Sequence, residues 1–145
     1  MISYLLVTLQ IGLIVVLVAT TRPLGTPWAN AVAFALVAAA TFVGIGALAA
    51  NRPGNFNVRP EVKRSARLVT DGIYAHVRHP MYLAVLLGML AALAADPRGW
   101  RIGAWLGLLL VLLAKARREE NYLGARFPEY AAYMRRTRRL LPRLY

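Results

Sequence analysis

The sequence predicts an all-α, polytopic membrane helical bundle, with about four transmembrane helices and a C-terminal amphipathic cytoplasmic helix. Three observations carry this. Of the 145 residues, 59% are hydrophobic and the mean hydropathy is +0.49, above the roughly 45–50% apolar share of a soluble domain. The chain holds 18 Lys and Arg against 6 Asp and Glu, a formal net charge of +12. That charge falls in blocks between apolar stretches, the mark of a small integral membrane protein. One domain over residues 1–145 is expected, with two spans in 1–50 and the chemistry-bearing half in 51–145.

The first apolar stretch runs from about Ile2 to Thr20. It lacks the positive leader of a signal peptide and reads as a mature membrane helix. The second, about Ala29 to Ala50, carries no charge. The third, Met81 to Ala95, ends at the turn Asp96-Pro97-Arg98-Gly99, and the fourth runs from about Trp100 to Ala114. Spanning helices need about 20 residues, so the last two must borrow length from their flanks. Trp28, Trp100 and Trp105 stand near segment ends, where interfacial aromatics belong. Gly44-Ile45-Gly46 suits close helix approach, either within one chain or in a homodimer.

Lys and Arg set the expected orientation. The 51–80 loop carries Arg52, Arg59, Lys63, Arg64, Arg67 and Arg78, and the tail from Lys115 carries nine more. The remaining loops carry only Arg22, Arg98 and Arg101. The positive-inside rule then puts both rich regions, and both termini, in the cytoplasm, with the chain in an inner (plasma) membrane. The basic excess points to membrane lipids and not to nucleic acid. After Ala116, Tyr122, Leu123, Phe127, Tyr130 and Tyr133 recur at helical spacing, and Pro128 divides the tail into the end of a long helix and a shorter one. This tail, with Arg135, Arg136, Arg138 and Arg139, reads either as an anchor on anionic lipid or as a lid over a site.

There is no cysteine, and histidine occurs only at His76 and His79. Disulfides, thiol nucleophiles and His-rich or Cys-based metal sites are thereby excluded, and no metal is expected. The chemistry concentrates in two motifs. Arg78-His79-Pro80-Met81-Tyr82 precedes the third span, and Glu119-Glu120 follows the fourth. The short turn between these spans makes them antiparallel neighbours, which brings the motifs together. Pro80 suits the first helical position and pushes His79 into an extended conformation. The helix start, with Arg78, would take a carboxylate or phosphate; Arg78 and His79 could equally be membrane anchors. The glutamates read either as a surface ion pair with Lys115, one turn earlier, or as carboxylates for a cationic or hydroxyl-bearing ligand. Adjacent helical residues diverge by about 100°, so they do not face each other as a catalytic pair. S-adenosylmethionine, with its carboxylate, ammonium and ribose hydroxyls, would use both motifs.

From about Arg67 to Pro142 the chain resembles the isoprenylcysteine carboxyl methyltransferase and phospholipid methyltransferase group. The resemblance rests on Leu68-Val69-Thr70-Asp71-Gly72-Ile73-Tyr74, then Val77-Arg78-His79-Pro80-Met81-Tyr82. It continues through Glu119-Glu120, Leu123, Phe127, Glu129-Tyr130, Tyr133 and Leu141-Pro142. It departs at Phe127-Pro128-Glu129-Tyr130, one residue shorter than the family's pattern. The resemblance implies a membrane methyltransferase using S-adenosylmethionine in a cytoplasmic pocket. Leu68, Val69 and Tyr74 would line that pocket, Arg78 would assist, and His79, Pro80, Met81 and Tyr82 would hold the amino-acid part and adenosine. Glu119 would bind the cofactor with Glu120 beside it, and Lys115 or Arg118 would act on the acceptor side.

Such a reaction needs alignment and exclusion of water more than proton transfer. A lipophilic acceptor is expected to arrive sideways from the bilayer. A carboxylate acceptor needs only a cation to place it; an amine or thiol must lose a proton, with His76, His79 or Tyr82 to help. Two rival readings stand beside this one: a membrane reductase like the sterol C14-reductases, using a nicotinamide cofactor, and a non-enzymatic basic protein that binds anionic lipid.

Overall fold

The computed structural model describes residues 2–22, 26–51 and 67–141. Among these are α1 (Ile2–Ala19), α2 (Pro27–Ala50), a 3₁₀ turn (Gly72–Ala75), α3 (Pro80–Ala95), α4 (Gly99–Arg126) and α5 (Tyr130–Arg136). The cations Arg52, Arg59, Lys63 and Arg64, which weigh in the expected orientation, and Pro142 of the family pattern lie outside the described residues.

The all-α membrane bundle stands. Among the described residues, three helices are long and apolar enough to cross a membrane: α1, α2 and α4. At 16 residues, α3 reaches only about 24 Å, short of a hydrocarbon core of roughly 30 Å. Its two ends compensate by burying polar groups: His79 before it is 5% exposed and Asp96 after it 0%. The helix of the fourth stretch runs past its apolar residues toward Pro128, as expected. It continues as one 28-residue helix to Arg126, because loss of apolarity marks where a helix leaves the membrane and not where it ends. Phe127 closes it at φ −120° and ψ 109°, the extended conformation that Pro128 imposes on its predecessor. Prolines also open α2 at Pro27 and α3 at Pro80, where a missing N–H costs nothing.

The central helix, α3, packs against α2, α4 and α1. The α2–α3 pair is antiparallel and held close by small residues. A methyl group added at Gly44 would meet Ala84 at 3.7 Å, and one at Gly88 would meet Ala40 at 4.0 Å. A methyl at Gly46 would meet Ile73 of the 3₁₀ turn at 3.5 Å. The Gly44-Ile45-Gly46 element thus packs within the monomer. Leu17, Leu86, Leu108, Leu112 and Leu140 form the buried core, while Leu5, Val15, Phe34, Phe42 and Leu110 face outward as a lipid-exposed surface should.

Two expectations at the far end of the bundle change. Arg101 is not a loop cation: it is fully buried. Its guanidinium donates to Thr20 Oγ1 at 2.8 Å, Leu17 O at 2.9 Å, Thr21 Oγ1 at 2.7 Å and Ala92 O at 3.1 Å. Asp96 lies 3.8 Å away and accepts from Arg98 Nε at 2.8 Å and the Arg22 N–H at 3.1 Å. This node fastens α1, α3 and α4 together. Trp105 is not an interfacial anchor either, since its indole N–H donates to Leu86 O on α3 at 3.1 Å. Trp28 and Trp100 are exposed at helix ends, as expected.

Candidate active site

The site forms where α3 begins and α4 leaves the apolar core. The local chain geometry starts at Gly72, whose φ of 56° is a left-handed conformation that glycine adopts without strain. A Cβ there would sit 3.2 Å from Ala50 Cβ, so this glycine also lets the 3₁₀ turn press against the last turn of α2. The turn delivers Tyr74. Burial pushes the Tyr74 phenol up to about 12; a hydrogen bond with Asn51 at the end of α2 opposes this, and the Glu119 charge reinforces it. Leu68 and Val69 are half-buried on the segment leading into the turn.

His79 caps α3 at φ −123°. The C-terminal segment after α5 returns to this point and makes a parallel bridge, Val77 to Arg138. Arg78 N–H donates to Arg138 O at 2.8 Å, His79 N–H to Arg139 O at 3.1 Å, and Arg138 N–H to His76 O at 3.2 Å. The Tyr82 N–H is taken by His79 O at 3.1 Å. These amides are therefore spent on the protein, which changes the expectation of an open anion cradle at the helix start. Pro80 is buried and Met81 half-buried in the first turn of α3.

The two glutamates flank one imidazole. Glu119 Oε2 lies 3.5 Å from His79 Nδ1, and Glu120 Oε1 lies 3.3 Å from His79 Nε2. Burial by itself pushes this imidazole down, but hydrogen bonds and charge from both carboxylates outweigh it, and the net direction is up. His79 also stacks on Tyr82, with ring centroids 5.3 Å apart and planes within 4°.

The glutamates differ in what else they touch. Glu120 is buried. It accepts from Arg78 Nε at 2.8 Å and from Arg139 Nη2 at 2.5 Å. Arg78 in turn reaches Thr137 O at 2.6 Å and Met134 O at 3.3 Å, capping the end of α5. Tyr133 O–H donates to Tyr74 O at 2.7 Å, and Thr137 O–H donates to Tyr133 O at 2.7 Å. Arg78 and Glu120 thus hold a C-terminal strap against α3. Glu119 is the accessible carboxylate: its side chain is 34% exposed, and it accepts from Tyr82 O–H at 3.0 Å.

One turn deeper, Lys115 is only 2% exposed. Its ammonium donates to Gln10 Oε1 of α1 at 2.5 Å and lies 5.4 Å from the centre of the Tyr82 ring. Arg118 is half-buried, with a buried Nε that lacks a hydrogen-bond partner. The structure therefore brings Tyr74, Arg78, His79, Pro80, Met81, Tyr82, Lys115, Glu119 and Glu120 to one end of the bundle.

Three contributors, Gln10, Asn51 and Thr137, escape the sequence reading, and a fourth, Arg139, stands in it only as one of four cations of an anchor or lid. Gln10 is the lone amide in an apolar helix. Asn51 caps the C-terminal end of α2. Thr137 and Arg139 sit among arginines of similar appearance, of which Arg135, Arg136 and Arg138 are exposed. Of these, only Gln10 carried a signal, as an amide that a lipid-facing position would not favour.

The isoprenylcysteine carboxyl methyltransferase (ICMT) family model matches residues 31–125. Two curated proteins are similar over 84 residues, 57% of this chain. The cobalt-zinc-cadmium resistance protein CzcN of Cupriavidus metallidurans is 40% identical there, and the match covers 38% of it. The nickel-cobalt-cadmium resistance protein NccN of Alcaligenes xylosoxydans xylosoxydans is 37% identical, with 39% covered. The matched part of the chain thus spans about two-fifths of these relatives. The family match covers well over half of the chain and includes both motifs, so the protein belongs to the isoprenylcysteine carboxyl methyltransferase family.

Proposed function

We propose that this protein is an integral-membrane methyltransferase that uses S-adenosylmethionine to methylate a lipophilic acceptor, with the site on the cytoplasmic side. The observation that carries this reading is the division of labour between the glutamates. Glu120 is consumed by the strap, whereas Glu119 stays accessible beside the Tyr82 hydroxyl and one turn from a buried lysine.

The donor set suits the cofactor. Glu119 would hold its ammonium or ribose hydroxyls, and Tyr74, Met81 and Tyr82 supply apolar and hydrogen-bonding walls. When bound, S-adenosylmethionine supplies a methyl group on a positively charged sulfur. A carboxylate in contact with that sulfur would favour the ground state, so Glu119 binds away from it. His79 is engaged by a carboxylate at each ring nitrogen, and these push its pKa up, so neither nitrogen is placed to take a proton from an acceptor. The acceptor favoured by these residues is one that needs no deprotonation, a carboxylate on a lipophilic chain. Lys115, or Arg118 nearer the membrane exit, would place it.

The names of the relatives attach them to metal resistance. Among the described residues, no group of three or more His, Asp or Glu side chains is arranged so that it could hold a metal ion. The proposed chemistry sits instead at Glu119 and Lys115.

Calorimetric titration of S-adenosylmethionine and S-adenosylhomocysteine into detergent-purified protein tests the reading, with Glu119→Gln alongside. Saturable binding that the substitution weakens at least tenfold is expected. Absence of binding in both detergent and lipid nanodiscs would sink it, and the nicotinamide and lipid-binding alternatives would then be examined with the same preparation.

A further inference from the structure

Four buried side-chain atoms among the described residues lack a hydrogen-bond partner: Thr26 Oγ1, Arg101 Nε, Arg118 Nε and Tyr130 Oη. The first two lie at the far end of the bundle, and Arg101 makes four other hydrogen bonds there. Tyr130 is different. It opens α5, is 1% exposed, and carries a single polar group that is spent on nothing. A buried orphan hydroxyl is costly and rare enough to require a reason.

The surroundings supply one. Tyr130 responds electrostatically to Glu120, Arg78 and Glu119, so its phenol lies among the charges of the site. Burial pushes it well above the ordinary tyrosine range, leaving it neutral and able to donate at physiological pH. The other hydroxyls around it are committed. Tyr82 donates to Glu119, Tyr133 to Tyr74 O and Thr137 to Tyr133 O. Tyr133 is a telling contrast, because it shares α5 and a tilted ring contact with Tyr130 at 5.8 Å, yet its hydroxyl serves the fold. A phenylalanine at 130 would fill the same volume without the desolvation cost, so the hydroxyl serves something other than packing.

We propose that Tyr130 is a further ligand-binding residue, whose hydroxyl donates to an oxygen or nitrogen acceptor of the cofactor held at Glu119. This rests on the methyltransferase reading and extends it to the strap: α5 contributes directly to binding as well as closing the site.

The test pairs Tyr130→Phe with Tyr133→Phe, each measured for S-adenosylhomocysteine affinity by calorimetry and for ligand-free thermal stability in the same detergent. Tyr130→Phe is expected to keep or raise the ligand-free melting temperature while weakening binding roughly tenfold, the size of one lost hydrogen bond. Tyr133→Phe is expected to lower the melting temperature. Wild-type binding that Tyr130→Phe leaves unchanged overturns this inference alone. A fall in ligand-free stability of Tyr130→Phe also overturns it, since the hydroxyl would then serve the fold. If the wild type binds no S-adenosylhomocysteine, the methyltransferase reading fails and this inference with it.

Discussion

Glu120 accepts a hydrogen bond from Arg78 at 2.8 Å across 42 residues of chain, and this contact decides which glutamate is available. Its second oxygen is clasped by Arg139. Removing one partner of a buried ion pair costs about 3–5 kcal/mol, because the others are left uncompensated. Glu120→Gln is expected to lower the melting temperature by several degrees and expose the tail to trypsin. Glu119→Gln, at a more accessible position, is expected to cost under about 1 kcal/mol while impairing ligand binding. Thermal unfolding with limited proteolysis checks both; a Glu120→Gln protein as stable as wild type removes the latch.

Stability should also depend on pH through His79. The imidazole faces Glu119 and Glu120 from α4, Arg78 beside it, Arg139 from the strap and Tyr82 from α3. Its pKa is raised from the ordinary 6.5. A raised folded-state value means that the contribution is complete below about pH 6.5 and is lost as pH climbs through that value. The melting temperature of the wild type should therefore fall on the alkaline side of about pH 6.5, and His79→Gln should flatten the slope. A flat wild-type profile would contradict an imidazolium between the carboxylates.

Gly72 sets the depth of the 3₁₀ turn. Alanine there meets a left-handed φ of 56° and a contact of 3.2 Å with Ala50. The conformational part alone costs about 1–2 kcal/mol. Gly72→Ala is expected to lose at least that much by denaturant titration and to weaken ligand binding, because Tyr74 rides on the turn. Gly99→Ala, where a methyl meets nothing within 4 Å, is the control that should lose neither.

At the opposite end, Arg101→Leu removes the cation that ties α1, α3 and α4. Loss of about 3 kcal/mol is expected, as for other buried charge clusters. Ligand affinity should be retained, since the node lies at the other end of α4 from Glu119. A variant with wild-type stability would show that the cluster is dispensable.

Much of this arrangement was legible in the sequence, for identifiable reasons. Pro80 and Pro128 mark element boundaries through steric rules that tertiary packing does not override, whereas Pro27, which opens α2, was passed over. The short turn after Asp96 forces α3 and α4 together, and with them His79 and the glutamates. The strap was legible only as one of two readings of the tail, an anchor or a lid. Arg138 and Arg139 are neighbours of one type, and only the bridge to Val77 determines which one turns inward. Arg101 was misplaced because counting charges by loop cannot distinguish an arginine in water from one wrapped in carbonyls. The different fates of Glu119 and Glu120 depend on where His79 enters between them, and a sequence carries no record of that distance.

The bridge between Val77 and Arg138 also orders events during synthesis. Every apolar helix is finished before the ribosome reaches Arg139, which follows Glu120 by 19 residues. All the apolar chain is thus made before the glutamate's last partner. A translation product that stops short of Thr137 keeps all the hydrophobic segments yet has no way to close the strap.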